Sequence, residues 1–196
     1  RRLERGQKLL NGGLSLDAAL FPEPPFRYDE PVFQLKPQCS CALHLPRGFS
    51  IDARFGGRLR RTVCEHPENE MKLSLRLSPS WQSASGRWKL DTRLEALSFR
   101  SAALMAYAGM ALDMGKFRMS YRYAVFLVDE WDDRIYAYEH DSTGTFPVTS
   151  FYGRVIINYF FVRYRTGRFS LDLRLAATNC TRGNISEVKT QLAAGF

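Results

Sequence analysis

The feature that most constrains this chain is a period of two, sustained over long segments. In Met71-Lys72-Leu73-Ser74-Leu75-Arg76-Leu77-Ser78, apolar and polar residues alternate without a break. Phe117, Met119, Tyr121, Tyr123, Val125 and Leu127 alternate with Lys116, Arg118, Ser120, Arg122 and Ala124. Phe169, Leu171, Leu173 and Leu175 alternate with Arg168, Ser170, Asp172 and Arg174, and Phe33, Leu35, Cys39, Cys41 and Leu43 set the same rhythm earlier. Successive side chains of a strand point to opposite faces, so each segment offers one oily face and one charged face; a helix would scatter them around its circumference. The pattern predicts an all-β antiparallel up-and-down barrel. Its nine strands lie near 32–45, 49–63, 70–82, 86–99, 102–114, 116–128, 152–165, 168–178 and 184–196. Residues 1–31 stay an unassigned preceding segment or linker, with room for a helix at Leu14–Leu20. Residues 129–151, including the strand-like Arg134–His140, form one large external loop.

Strands of about 11–15 residues exceed the ~5–6 typical of soluble sheets and suit a bilayer crossing, which takes about 9–11. The turns agree: Pro46-Arg47-Gly48, Ser83–Gly86, Met114-Gly115 and Thr166-Gly167 are tight, whereas the connections at 64–69, 129–151 and 179–183 are longer, apart from a short link near Arg100-Ser101. Short turns at one end and long loops at the other are the layout of outer-membrane barrels. A soluble β-barrel that binds a ligand in an apolar interior is the competing reading. No run approaches 18 apolar residues, which excludes a membrane-spanning helix, and 13% aromatic content excludes a disordered chain. The chain opens on Arg1-Arg2-Leu3-Glu4-Arg5, with no initiating Met and no signal peptide, and reads as a processed or excised piece. Nine strands is an odd number, so the barrel is expected to be the C-terminal part of a larger one, with other chains or further strands completing or capping it.

One region carries a resemblance. Tyr121-Arg122-Tyr123-Ala124-Val125-Phe126, Asp132-Asp133-Arg134-Ile135-Tyr136-Ala137-Tyr138-Glu139-His140-Asp141 and Phe151-Tyr152-Gly153 together resemble the signature of a Bacteroidota outer-membrane β-barrel family. Members of that family often carry N-terminal helix-hairpin-helix modules of the DNA-uptake type. The resemblance is best over residues 86–196 and covers the barrel alone; Ser142–Pro147 stand where the family has a hydrophobic run. The last segment, in which Val188, Leu192, Ala194 and Phe196 share one side, is similar to the terminal strand by which such barrels are inserted. The resemblance implies a bacterial outer-membrane location and a place as a pore or scaffold subunit in a transport, secretion or uptake assembly.

Parity assigns the charges. Lys36, Arg54, Arg58, Arg60, Lys72, Arg76, Lys89, Arg93, Lys116, Arg118, Arg122, Arg163, Arg165, Arg168, Arg174 and Lys189 fall on the polar, lumen-facing side, against Asp52, Asp91, Glu95, Asp172 and Glu187. A lumen with that excess attracts anions, and passage or binding of an anionic solute or nucleic acid is one reading. The other is that a plug, a partner or cross-strand ion pairs absorb the charge. The aromatics are expected to face mostly lipid, which counts against nucleic acid. In the loop, Trp131, Tyr136, Tyr138, Phe151 and Tyr152 are expected to dock it at the barrel mouth or on a partner. Its acidic cluster, Asp129, Glu130, Asp132, Asp133, Glu139, His140 and Asp141, matches no ligand spacing. An outer-membrane hydrolase using His140 is therefore only an alternative, and neither catalysis, metal nor cofactor is expected. Cys39 and Cys41 share the lipid face; a Cys64–Cys180 disulfide is geometrically open.

Overall fold

The computed structural model describes residues 9–23, 30–63, 68–138, 148–181 and 183–194. Ten strands form one antiparallel sheet in which each pairs with its neighbours along the chain. They are β1 (Leu9–Phe21), β2 (Val32–His44), β3 (Phe49–Thr62), β4 (Asn69–Gln82), β5 (Trp88–Ser98), β6 (Ala102–Asp113), β7 (Phe117–Val128), β10 (Gly153–Thr166), β11 (Phe169–Cys180) and β12 (Gly183–Ala194). Between β7 and β10, β8 (Ile135–Tyr138) and β9 (Val148–Phe151) make a separate two-stranded hairpin. The sheet is open, with β1 and β12 as its edges. No α-helix occurs among the described residues.

Two expectations are corrected here. The first strand lies in the segment left unassigned: β1 pairs with β2 from Leu9 opposite His44 to Phe21 opposite Val32, which also removes the helix at Leu14–Leu20. It obeys the same rhythm, Leu10, Leu14, Leu16 and Leu20 against Asn11, Ser15 and Asp17, but Gly12-Gly13 and Ala18-Ala19 blur the contrast. The odd count thereby becomes ten, an even number. Second, within 129–151, read as one large external loop with Arg134–His140 strand-like, Ile135–Tyr138 is a strand that pairs with Val148–Phe151.

The turns 45–48, 83–87, 114–116 and 167–168 lie at one end of the sheet; the other end holds the long connections from β1 to β2, β3 to β4 and β7 to β10 but also two short links, Ser98 to Ala102 and Cys180 to Gly183, so the expectation of a longer connection at 179–183 is corrected. Gly48 shows how tight the first end is. Its φ is 82°, and a β-carbon there would stand 2.0 Å from the Gln82 carbonyl oxygen, so only glycine fits.

The register also fixes a slope. From Gly13 in β1, directly paired residues run through Ser40, Arg54, Arg76, Glu95, Met105, Phe126, Val155 and Cys180 to Gly183. Gly183 opens β12, whereas Gly13 stands eight residues short of the loop-end terminus of β1 at Phe21. Eight residues at about 3.3 Å, spread over nine strand spacings of about 4.8 Å, give a strand tilt of about 30°. That lies just below the 35–45° of closed barrels, so the sheet has the slope of a barrel wall.

The two faces differ in kind. The outer face is predominantly apolar: among the described strands its only charged residues are Arg61 and Arg154, both at the loop end, and its uncharged polar residues include Thr92, Asn158 and, on the edge strand β12, Asn184, Ser186 and Thr190. Leu75 is 54% exposed there and Leu171 44%, while the inner-face Arg122 and Arg174 are 7% and 5% exposed. Outer-face aromatics gather near the short turns: Phe49 beside Trp81 (ring centroids 6.2 Å), Trp88, Phe117 beside Tyr164 (4.5 Å), and Phe169.

Candidate functional site

The inner face is the candidate site, and three sectors make it up. The first is a set of ion pairs that the register creates. Arg76 stands directly opposite Glu95 and holds it through Nε (3.2 Å) and a terminal nitrogen (3.1 Å); Arg93 pairs with the same carboxylate. Arg163 stands opposite Asp172 and grips both its oxygens, at 2.7 and 2.8 Å. Arg174 reaches Glu187 at 2.7 Å, and Lys189 reaches it at 3.0 Å. Arg122 spans a whole strand to Asp91 (3.2 Å), from β7 to β5. Gly109 between them makes this possible, because a β-carbon there would lie 3.1 Å from the Asp91 carboxylate and 3.4 Å from Arg122 Nε. The Arg122 guanidinium also lies over the Tyr107 ring at 4.1 Å, and that of Arg174 over Tyr159 at 5.4 Å. Arg122, Asp172 and Arg174 are buried but paired, the condition under which buried ions are tolerated.

The second sector is apolar. Met105, Phe126, Val155, Ile157 and Tyr159 face inward on β6, β7 and β10, and Ile135 and Ala137 of the hairpin pack onto them. The connection between β7 and β10 therefore folds back against the inner face. Asp133 latches it: fully buried, its carboxylate accepts hydrogen bonds from the backbone N–H groups of Arg100 (3.3 Å) and Ser101 (2.6 Å) and from the Ser101 hydroxyl (2.9 Å). Lys72 Nζ adds a bond to the Asp132 carbonyl (3.1 Å).

Among the aromatics expected to dock this loop at the barrel mouth or on a partner, three have described side chains, and they do not pack on the inner face. Trp131, Tyr136 and Tyr152 are exposed. Trp131 meets Tyr152 edge-on at 5.5 Å, and Arg134 lies over Trp131 at 4.8 Å while its Nε bonds the Tyr136 hydroxyl at 2.7 Å. The docking residues are the smaller Ile135 and Ala137, on the opposite parity of β8. The backbones of Tyr138 and Phe151 belong to β8 and β9. Most of the Tyr and Phe residues stand on the outer face, as the alternation implied: Phe33, Phe49, Phe55, Phe117, Tyr121, Tyr123, Phe160, Tyr164 and Phe169, whereas Tyr107, Phe126, Tyr159 and Phe161 stand on the inner face.

The third sector holds the cations left over. Arg54, Lys89, Arg118 and Arg165 are on the inner face with no carboxylate partner among the described residues, as is Lys36; Lys116 and Arg168, expected on that face, stand in the short turns instead. Arg60 donates from Nε to the Gln34 side-chain oxygen (2.8 Å), and Arg58 lies over the Phe99 ring at 6.0 Å. Asp17, Glu70 and Asp113 join the acids on this face, so the basic excess is smaller than the strand-by-strand count gave. Cys39 and Cys41 are exposed on the outer face, and the Cys180 thiol donates to the Gly183 carbonyl (3.2 Å). Cys64, the stretch Glu139-His140-Asp141 and Phe196 lie outside the described residues.

What the site can do follows from these contacts. It presents fixed positive charge beside a docked hairpin, and no cluster of metal-binding side chains forms among the described residues. Comparisons with protein-family models, with curated proteins and with solved structures find no match for the chain.

Proposed function

We propose that this chain forms part of the wall of an outer-membrane β-barrel, in a bacterial outer membrane of the Bacteroidota type. It serves there as a pore or scaffold subunit of a transport, secretion or uptake assembly rather than as an enzyme. The observation that carries the reading is the outer face: it is predominantly apolar across the sheet, least so on the edge strand β12, with charge only at Arg61 and Arg154 among the described strands. From Phe117 to Leu127 that face runs ten residues, about 34 Å along the strand and about 29 Å along the barrel axis at this tilt. The apolar band of outer-membrane barrels is about 25 Å tall and is bordered by aromatics, the place that Trp81, Trp88, Phe117 and Phe169 hold here. In water, so large an exposed patch would drive association.

The edges of β1 and β12 add a requirement. In lipid each unpaired backbone group costs several kcal/mol, so strands from outside the described sheet complete the barrel. Ten strands, not nine, now need that completion. The lumen carries water, and its unpaired cations favour anionic solutes over cationic ones. Most Tyr and Phe residues face outward, and the inward Tyr107 and Tyr159 are already covered by Arg122 and Arg174, which counts against nucleic acid.

Fractionation tests the reading. The protein expressed with export to an outer membrane stays with the membrane after a high-salt wash and needs detergent for release. Recovery in the buffer after the salt wash would favour the soluble ligand-binding barrel. Co-purification from detergent identifies the chains that complete the wall.

A further inference from the structure

We infer that the edge of β12 is a seat for β1 of a second copy of this chain, so that two copies close one wall. This seam rests on the reading above that strands from outside the described sheet complete the barrel, and it names where they come from. β1 runs from the turn end to the loop end and β12 runs back, so the two edges meet antiparallel, as all other neighbours in the sheet do. Leu14 on one edge is 85% exposed, and Val188 and Leu192 on the other are 70% and 72% exposed, more than any other large apolar side chain among the described residues. Within one copy these edges are the far sides of an open sheet. Joining them would make a ring of ten strands about 19 Å wide. The hairpin, a layer about 10 Å inside its own wall, would then press on β2 and β3 and bury Arg54, which has no carboxylate partner among the described residues. Twenty strands give about twice that width and keep the basic sector wet, and a twofold axis along the barrel makes both seams the same.

One register satisfies the faces, the slope and the side chains together. Inner and outer faces must continue across the seam, which restricts the pairing to shifts of two residues. When Lys189 stands opposite Asp17, Gly183 falls opposite Glu23, ten residues along β1 from Gly13, where the line of directly paired residues began. Ten residues over ten strand spacings give a tilt of about 35°, which reaches the range of closed barrels. On the inner face, Asp17 then continues the alternation of charge in Arg174, Glu187 and Lys189, and its neighbour on the other side is Lys36. Phe21 meets Ile185; they are 37% and 63% exposed, and are the large apolar side chains that these two strands turn inward at the loop end. On the outer face Leu14 meets Leu192 and Ala18 meets Val188. Two residues fewer would set Glu187 against Asp17, where like charges repel, and lower the tilt to about 29°. Two residues more would leave Asp17 opposite Gln191 and put Phe21 against Glu187.

Cysteine cross-linking tests the seam in the full chain exported to an outer membrane, with Cys39→Ala, Cys41→Ala, Cys64→Ala and Cys180→Ala. New pairs come from Asp17→Cys with Lys189→Cys and from Ala18→Cys with Val188→Cys; of two successive positions in an antiparallel ladder, one brings its side chains close. Oxidation is expected to give a reducible species of two chains. The same species is expected when Asp17→Cys and Lys189→Cys are carried by two differently tagged copies expressed together. Asp17→Cys with Glu187→Cys, or with Gln191→Cys, is expected to cross-link far less. Without added cysteines, Asp17→Lys removes most of the two-chain species measured by mass in detergent, and Lys189→Asp added to it restores that species. Strand content and heat-shifted gel mobility establish that each variant is folded. A cross-link within one chain overturns the inference, because β12 then closes on its own β1. Absence of a cross-link in both pairs overturns it as well, and so does stronger cross-linking in a neighbouring register. Membrane retention is read from the same fractions before oxidation. Failure of the seam in a protein that stays with the membrane sinks this inference alone, whereas release by the salt wash sinks the reading on which it rests.

Discussion

Two parts of the inner face are built on opposite plans. On β6, β7 and β10 it is apolar and covered: Phe126 is 1% exposed and Ile135 of the hairpin lies against the cluster. On β3 and β4 it is basic and touched by the β7–β10 connection only at its loop end, where Lys72 meets the Asp132 carbonyl, with Arg54, Arg58, Arg60, Lys72 and Arg76 along two neighbouring strands. The outer face beneath both sectors is the same apolar surface. The difference therefore lies in what each sector meets inside. Where a second layer exists, the wall is apolar on both sides like a buried sheet; where none exists, it keeps the one-sided alternation of a sheet wetted on one face. The hairpin is thus a partial plug set to one side, and the open side is left positively charged.

Breaking an ion pair inside the wall has the largest expected effect. Asp172→Ala leaves Arg163 without its carboxylate at a site where Asp172 is 2% exposed, and costs about 3–5 kcal/mol, read from denaturant unfolding in detergent or lipid. Next comes the outer face. Leu75→Arg costs about 2–4 kcal/mol in a bilayer near its midplane, although Leu75 touches little protein, and the same exposed change on a soluble sheet would stay within about 0.5 kcal/mol.

The covered sector is sharpened by Asp133→Ala. That variant strips three hydrogen bonds and leaves the N–H groups of Arg100 and Ser101 unsatisfied, at about 1–3 kcal/mol. The hairpin then becomes a site of limited proteolysis while the sheet stays intact. The smallest effect falls in the uncovered sector. Lys89→Gln, an exposed cation with no acid beside it, changes stability by less than about 0.5 kcal/mol.

The same contrast explains what could be read from the residues alone. Strands such as Met71–Ser78 and Phe169–Leu175 announce themselves because they meet apolar surroundings on one side and polar ones on the other. The covered sector hides its rule. Ala124–Val128 and Val155-Ile156-Ile157 are apolar at every position, which was the available sign that something packs on the inner face there. Glycines and paired alanines masked β1. The ion pairs were beyond reach for another reason: they depend on register, which turns and packing set between strands. Arg122 meets Asp91 only because Gly109 happens to stand between them.

The claim on which the account rests is that neighbouring residues of one strand face different solvents. In a background with Trp81→Phe, Trp88→Phe and Trp131→Phe, a single tryptophan is placed either by Leu75→Trp or by Ser74→Trp, and the protein is inserted into phosphatidylcholine vesicles. Brominated acyl chains are predicted to quench the tryptophan at 75 and spare the one at 74, while aqueous acrylamide does the reverse. Quenching of position 75 by acrylamide, with no response to bromine, would contradict the account.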